Sequence, residues 1–138
     1  MTNTSSARQT MEPQYGVVFD VADQHGISQL GLMINESWNQ DPKRTLFTLS
    51  RYKFVAKMLA GCGRVLEVGC ADAFGTRIVQ QAVDHVTATD LDPVFIEDAR
   101  QRMNPNWPLD LAVHDMLQGP MSGNFDAIFS LDVLEHIP

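Results

Sequence analysis

The fold is decided by the stretch VLEVGCADAFGTRIV, residues 65–79. It opens with the apolar run of a buried strand, passes through a turn of small residues and continues with the spacing of a helix. Glu67 lies inside the strand and Gly69 follows at its exit. Alanines occupy positions 71 and 73, where a nucleotide-binding loop usually carries glycines. The stretch therefore predicts a strand, a ligand-binding turn and a helix.

Strand and helix patterns alternate on the carboxyl side of this unit. Strand patterns occupy residues 64–69, 85–90, 109–115 and 125–134, and helix patterns occupy residues 42–59, 74–83 and 93–103. Asp41 and Asp92 are suited to cap the helices that begin at the prolines following them. Strands joined by short helical connections indicate βαβ units. The predicted fold class is α/β, with a mostly parallel sheet and helices on both faces.

Composition narrows the class of protein. The 138 residues have the size of one domain, and no apolar run is long enough to cross a bilayer. A net charge of −7 disfavours general binding to nucleic acid phosphates. Cys62 and Cys70 have no second pair, so we expect reduced thiols in a cytoplasm. The polar residues 1–10 lack the apolar core of a secretory signal and are expected to be a frayed lead-in.

Residues 1–40 predict an N-terminal extension, partly irregular, with one or two short helices. The segment between Asp41 and Glu67 contains no acid. It contains six basic residues: Lys43, Arg44, Arg51, Lys53, Lys57 and Arg64. These are either a solvated helix face or a pocket wall for an anionic substrate or a cofactor carboxylate.

The turn after residue 68 predicts a nucleoside site. In a parallel sheet, ligands bind beyond the carboxyl ends of the strands, where strand order reverses. Asp90 ends the second strand, about where nucleoside-binding folds place the carboxylate that grips ribose. The turn lacks two of the three glycines of the nicotinamide fingerprint, and no phosphate-binding Gly-Lys pair occurs. Glu67 would repel phosphates and suits a ligand with ammonium or sulfonium charge.

Four motifs together carry a family resemblance: VLEVGCADAFGT (65–76), TATDLDP (87–93), HDM (114–116) and FDAIFSLDVLEHIP (125–138). In this order, residues 64–138 resemble a class I S-adenosylmethionine-dependent methyltransferase. The resemblance implies a Rossmann-like fold, S-adenosyl-L-methionine as cofactor, and residues 41–138 as the N-terminal part of the cofactor-binding domain. The family's usual turn is E-x-G-x-G-x-G, from which Ala71 and Ala73 depart. If either position needs positive φ or close cofactor contact, the alanine would weaken binding; if both lie in ordinary backbone regions, the change is nearly silent. We expect it to be tolerated, because Gly75 can relieve the helix entry.

For the amino acid end of the cofactor, the resemblance implies a role for Glu67 in ordering the turn and approaching the methionine ammonium. Gly69 and the backbone of Cys70 and Ala71 would line the methionine part. Arg51 is a candidate for its carboxylate. Backbone carbonyls near this end are implied at Ser130 and Leu131.

For the adenosine end, the resemblance implies that Asp90 accepts from both ribose hydroxyls and that Leu91 packs on adenine. Asp115 would accept from the exocyclic amine, and the Met116 amide would meet a ring nitrogen. From the residues alone, Asp90 could instead cap a strand end and Asp115 could be a turn acid.

Methyl transfer from a sulfonium is an in-line displacement in which the protein mainly positions the reactants and excludes water. A general base helps when the acceptor is a hydroxyl. His136, with Asp132 and Glu135, follows the fourth strand and is either that base or a structural residue. No histidine has metal-ligand spacing, so no metal site is predicted.

The resembled fold has seven strands, whereas the sequence stops after the fourth-strand signature. An incomplete sequence, a shortened chain or pairing with another copy through the exposed fourth-strand edge would each explain this. We expect a methyltransferase acting on an unidentified small or medium-sized acceptor, with no nucleic acid or membrane partner. The alternatives are a non-catalytic nucleoside-binding or protein-interaction module and, third, a nicotinamide oxidoreductase.

Overall fold

The computed structural model describes residues 8–138. Its α-helices are α1 (Val17–His25), α2 (Leu32–Gln40), α3 (Pro42–Met58), α4 (Thr76–Gln80) and α5 (Pro93–Gln101). Its strands are β1 (Arg64–Val68), β2 (His85–Asp90), β3 (Asp110–Val113) and β4 (Ala127–Phe129). Short 3-10 helices span Pro13–Gly16, Met116–Gln118 and Leu134–His136. The predicted lead-in, residues 1–10, lies mostly outside the described residues.

The four strands form one parallel sheet in the order β3-β2-β1-β4. Val65 of β1 is paired with Val86 of β2 on one side and with Ala127 of β4 on the other. The chain builds outward from β1 to β3 and then returns to the opposite side of β1. This confirms the predicted α/β fold with a parallel sheet, and the reversal of strand order lies between β1 and β4.

The helices α3, α4 and α5 cover the same face of the sheet. Val86 and Ala88 are two residues apart in β2 and therefore point to one face. Val86 packs with Tyr52 of α3 and Val79 of α4, whereas Ala88 packs with Ile96 of α5. The core of the domain lies between these helices and the sheet.

The connection from β3 to β4 runs back across the sheet, and a right-handed crossover puts it on the opposite face. In this connection the structure has one short 3-10 helix, Met116–Gln118. Within residues 8–138, this connection contains no α-helix, whereas α3, α4 and α5 share one face, so the prediction of helices on both faces is confirmed for one face.

Both predicted helix caps are confirmed. The Asp41 side chain accepts a hydrogen bond from the Lys43 amide at 3.2 Å, and that of Asp92 accepts one from the Val94 amide at 2.9 Å. Each carboxylate satisfies an amide that has no partner inside its own helix. The proline that follows each cap occupies the first helical position.

Several predicted elements are shorter than expected, and the third strand, predicted over residues 109–115, spans Asp110–Val113. The helix predicted over residues 74–83 begins only at Thr76, because the Asp72 side chain accepts from the Phe74 amide at 3.0 Å and extends the turn. The strand predicted over residues 125–134 is confined to residues 127–129. Asp132 has φ of 56°, outside the region that strands adopt, so pairing cannot continue through it.

The start of helix α2 is held by acids from other elements. Gly31 supplies no side-chain cap, and the Ile34 amide donates instead to Asp72 at 2.9 Å. The Leu32 amide donates to Asp98 of α5 at 3.2 Å. These bonds fasten α2 to the turn after β1 and to α5. Within residues 8–138, no helix is both long and apolar enough to span a membrane.

Candidate functional site

A cavity of about 680 Å³ opens beyond the carboxyl ends of the four strands. Most of the predicted cofactor-binding residues line it: Arg51, Gly69, Cys70, Ala71, Asp90, Leu91, Asp115, Met116 and Leu131. Glu67 and Ser130 lie outside the lining, and the Ser130 hydroxyl donates to the Val68 carbonyl at 2.9 Å. The cavity lies where parallel α/β sheets bind their ligands, at the reversal of strand order.

The turn after β1 is bound to the end of β2. The amides of Gly69 and Cys70 both donate to the Thr89 carbonyl at 2.8 Å. Gly69 has φ of +79°, and a methyl group there would overlap the side chain of Val133. Glycine is therefore required at this position by both backbone conformation and space.

Asp90 links the turn to the cavity. One carboxylate oxygen accepts from the Ala71 amide at 2.8 Å and the other accepts from the Asp92 amide at 2.9 Å. Since a carboxylate oxygen can accept two hydrogen bonds, each oxygen retains one acceptor position. Asp90 therefore combines a structural role with free capacity for two donors.

Of the two cases open for Ala71 and Ala73, the structure shows positive φ at both positions. Their φ angles are 47° and 54°, in the left-handed region. For an L-residue with a Cβ, this conformation costs about 1–2 kcal/mol. Ala73 is buried, whereas Ala71 lines the cavity, so its methyl group occupies space next to any ligand.

Ala71→Gly and Ala73→Gly are each expected to raise the free energy of unfolding by about 1 kcal/mol, because glycine adopts positive φ without a steric penalty. Urea unfolding of both variants measures the change. Ala82→Gly, outside the turn and at a negative φ, is the control and should be destabilising. Loss of stability in both turn variants would contradict the assigned backbone strain.

Glu67 is completely buried in β1. Its carboxylate accepts from the Tyr52 hydroxyl at 2.7 Å and from the Thr76 hydroxyl at 2.5 Å. These are the specific partners that a buried carboxylate requires. Burial raises the pKa of Glu67 to about 7, although both hydroxyl bonds oppose the rise. Burial also raises the pKa of the Cys70 thiol, which remains neutral.

The end of β3 supplies a capped turn and apolar side chains. One Asp115 oxygen accepts from the Leu117 amide at 2.9 Å, so Asp115 acts as a turn acid whatever else it binds. Leu91 and Leu117 line the cavity although they are 70% and 60% exposed. Exposed apolar side chains beside a carboxylate suit a flat, partly polar ligand.

Helix α3 forms the opposite wall. Arg51 pairs with Asp132 and lies over the ring of Phe47, 4.7 Å from its centroid. Its Nε is buried and has no hydrogen-bond partner among the described residues. Arg44 lines the cavity too, two helical turns away. Two of the six basic residues, Arg44 and Arg51, thus line the cavity, whereas the other four lie outside it and are exposed: Lys43, Lys53, Lys57 and Arg64.

His136, at the end of the 3-10 helix Leu134–His136, lines the cavity. Asp132, which precedes this helix, lines it too. The His136 amide donates to the Val133 carbonyl at 2.9 Å, so its backbone ties the loop while its side chain is exposed. Glu135 is not among the lining residues.

Several lining residues were not singled out from the sequence. They are Met33, Ile34 and Ser37 of α2, Phe47, Thr48 and Tyr52 of α3, Leu117 of the 3-10 helix Met116–Gln118, and His114 and Val133 of the loops. For α3 the sequence does carry a signal, because residues 44, 47, 48 and 51 are three or four positions apart and therefore share the helix face on which Arg51 lies. For α2 the sequence carries no such signal.

The comparisons with known proteins agree with this geometry. A family model described as a methyltransferase domain matches residues 65–138. The ubiquinone biosynthesis O-methyltransferase of Xanthomonas axonopodis pv. citri is 30% identical over 122 residues, which cover 83% of this chain and 51% of that protein. The corresponding protein of Xanthomonas campestris pv. campestris (strain B100) is 30% identical over 119 residues, 81% of this chain and 50% of its own. The chain thus spans about half the length of these curated relatives.

Two solved structures share the fold. The N-methyltransferase NodS of Bradyrhizobium japonicum WM9, in complex with S-adenosyl-L-homocysteine, superposes with a TM-score of 0.53 and 24% identity over 70% of this chain and 53% of its own. The magnesium protoporphyrin IX methyltransferase of Synechocystis PCC 6803, with bound S-adenosylmethionine, has a TM-score of 0.52 and 19% identity over 95% of this chain and 67% of its own. With the family model covering more than half of its residues, this chain belongs to the methyltransferase domain family.

Proposed function

We propose that this chain is the cofactor-binding part of an S-adenosyl-L-methionine-dependent methyltransferase acting on a small or medium-sized acceptor. The observation that carries the proposal is Asp90, which faces the cavity at the end of β2 with one free acceptor position on each oxygen. This is the chemistry that a ribose diol requires.

The other lining residues fit the rest of the cofactor. Asp115 and the apolar Leu91 and Leu117 suit an adenine ring with an exocyclic amine. The buried, unpartnered Nε of Arg51 suits the methionine carboxylate. Carboxylates at the turn suit the ammonium and sulfonium charges. Two further roles, a water-mediated contact of Glu67 and carbonyl contacts of Ser130 and Leu131, remain proposals.

When bound, the cofactor supplies an activated methyl group. The chain's own residues then orient it and exclude water, with α2 and α3 forming the wall that faces the acceptor. For a hydroxyl acceptor, the His136 imidazole would take the proton as the oxygen is methylated. The relatives named O-methyltransferases support a hydroxyl acceptor.

One observation favours the alternative of a non-catalytic module. Ala71 places a methyl group at the cavity wall, which takes space from a ligand that must approach the turn. Such a module would bind the nucleoside weakly and transfer no methyl group.

Titration calorimetry with S-adenosylhomocysteine, and separately with NAD, tests the proposal. We expect saturable binding of the former and none of the latter. Methyl transfer from labelled S-adenosylmethionine to a panel of phenols, amines and thiols then separates enzyme from module. Binding of NAD alone would support an oxidoreductase and overturn the proposal.

The edge of β4 supports a proposal on assembly. This strand is paired only with β1 among the described residues, and Ile128 is 64% exposed. Unpaired apolar strands associate edge to edge, so we expect a dimer in solution. Size exclusion with light scattering measures the mass, and Ile128→Lys should yield a monomer. A monomeric wild-type chain would contradict this expectation.

The net charge of −7 argues against nucleic acid as substrate. Cys62 and Cys70 are both free thiols, which suits a reducing compartment such as the cytoplasm.

A further inference from the structure

Tyr52, Glu67 and Thr76 form a buried clamp around the cofactor turn. Glu67 lies just before the turn and Thr76 just after it, and their side chains meet at 2.5 Å. Tyr52 approaches from helix α3 and donates to the other carboxylate oxygen at 2.7 Å. One carboxylate thus joins the entry of the turn, its exit and the helix that carries Arg51.

The ring of Tyr52 also fixes the exit of the turn. It packs against the backbone of Gly75 so closely that a methyl group there would overlap it. It also contacts Phe129 of β4, edge to face, at 6.3 Å between ring centroids. Tyr52 is 93% buried and therefore has one fixed position relative to β1, β4 and α4.

The clamp holds an acid next to other acids. The carboxylates of Asp72 and Asp90 raise the pKa of Glu67 through their negative charge. The remaining titratable groups facing it, Tyr52 and Cys70, are neutral because burial raises their pKa values. Arg51 and Lys53 flank Tyr52 in α3; Arg51 is paired with Asp132, and Lys53 is exposed. Arg102, just after α5, donates to the Asp72 backbone carbonyl and pairs with Asp98. Among the described residues, the hydrogen-bond partners of the Glu67 carboxylate itself are two neutral hydroxyls and no cation.

We propose that Tyr52 is a positioning residue for the cofactor, holding Glu67 so that its ionised carboxylate is available beneath the turn when a cationic ligand binds above it. The inference rests on the proposed function. Glu67 does not line the cavity, whereas its neighbours Cys70 and Asp90 do. It therefore acts on the ligand through the electric field of its negative charge. Binding of a cation then favours loss of the Glu67 proton to solvent, and acidic pH opposes binding.

Removal of the Tyr52 hydroxyl takes one donor from the carboxylate and raises the Glu67 pKa, by about one unit. Affinity for S-adenosylmethionine should therefore fall about tenfold at pH 6 but only about threefold at pH 7.5, where more of the acid is ionised. A purely structural role would lower affinity by the same factor at both pH values.

The experiment measures Kd by calorimetry at pH 6, 6.5, 7 and 7.5 for wild type, Tyr52→Phe and Tyr15→Phe. Tyr15 is exposed and outside the cavity, so Tyr15→Phe should match wild type. Methylthioadenosine, which has neither ammonium nor sulfonium, is the ligand control and should bind equally at all four pH values.

Thr76→Val and Thr76→Ser provide a second, independent pair, used also if Tyr52→Phe does not fold. Thr76→Val should reproduce the pH-dependent loss, and Thr76→Ser should restore the wild-type profile because it keeps the hydroxyl. A pH-independent loss in both Tyr52→Phe and Thr76→Val would overturn the positioning role. Absence of S-adenosylmethionine and S-adenosylhomocysteine binding to wild type at every pH would instead overturn the proposed function.

Discussion

Asp90→Ala is expected to lower the affinity for S-adenosylhomocysteine about a hundredfold. Two hydrogen bonds from ribose hydroxyls to a charged acceptor contribute about 1.5 kcal/mol each, and about 2.8 kcal/mol corresponds to a factor of one hundred. The carboxylate already accepts from the Ala71 and Asp92 amides, so the ligand meets it in a fixed orientation. Titration calorimetry measures the loss.

The same substitution leaves those two amides without their partner, so stability must be measured beside affinity. Asp90→Asn retains an acceptor for one of these amides and carries no charge, and we expect a loss of affinity of about tenfold. Asp92→Ala is the matched control. It removes the cap of α5 from outside the cavity and should cost about 1 kcal/mol of stability without changing affinity. Wild-type affinity in Asp90→Ala would contradict the ribose assignment.

Local signals in the sequence predicted the parts of the fold that depend on neighbouring residues. The strand His85–Asp90 was predicted with its observed bounds, and α3 and α5 begin where the Asp-Pro pairs indicate. Caps and apolar periodicity act within a few residues, so one chain segment contains the whole signal. The cavity position followed from parallel topology, which sets where strand ends meet.

The features of the fold and of the site that the sequence did not predict depend on contacts between distant segments of the chain. Tyr52 is fifteen residues from Glu67, and nothing near either residue indicates their hydrogen bond. The contact of Asp72 with the Ile34 amide spans thirty-eight residues and brings α2 to the cavity wall. The sequence did not decide the backbone at Ala71 and Ala73 for a related reason. Alanine avoids positive φ locally, but bonds from the turn to β2 outweigh a preference of about 1–2 kcal/mol.

Glu67 is expected to lower the free energy of unfolding by about 3 kcal/mol as pH rises from about 4.5 to 7. Glu67→Gln should lack this decrease. The pKa of Glu67 is 4.5 in a model peptide and about 7 in the folded chain. Between these values the unfolded chain has lost the proton while the folded chain retains it, so a rise in pH favours unfolding. Below pH 4.5 both states are protonated and above pH 7 both are ionised, so the contribution is constant there. A shift of about 2.5 units corresponds to about 3 kcal/mol.

Urea unfolding at pH 4.5, 5.5, 6.5 and 7.5 measures this effect as the difference in slope between wild type and Glu67→Gln, which cancels the other titrating groups. The glutamine retains an acceptor for one of the two hydroxyls and can donate to the other, so the variant should fold. Glu97→Gln is the control, because Glu97 is exposed and hydrogen bonds from Gln101 and Arg100 lower its pKa. The contribution of Glu97 to the free energy of unfolding is lost only as pH falls below the ordinary pKa range of a glutamate. Between pH 5.5 and 7.5, the unfolding free energy of Glu97→Gln should therefore change with pH as it does in wild type. Parallel curves of unfolding free energy against pH for wild type and Glu67→Gln would mean that Glu67 is already ionised across this pH range. Its negative charge would then lie beneath the turn at every pH measured.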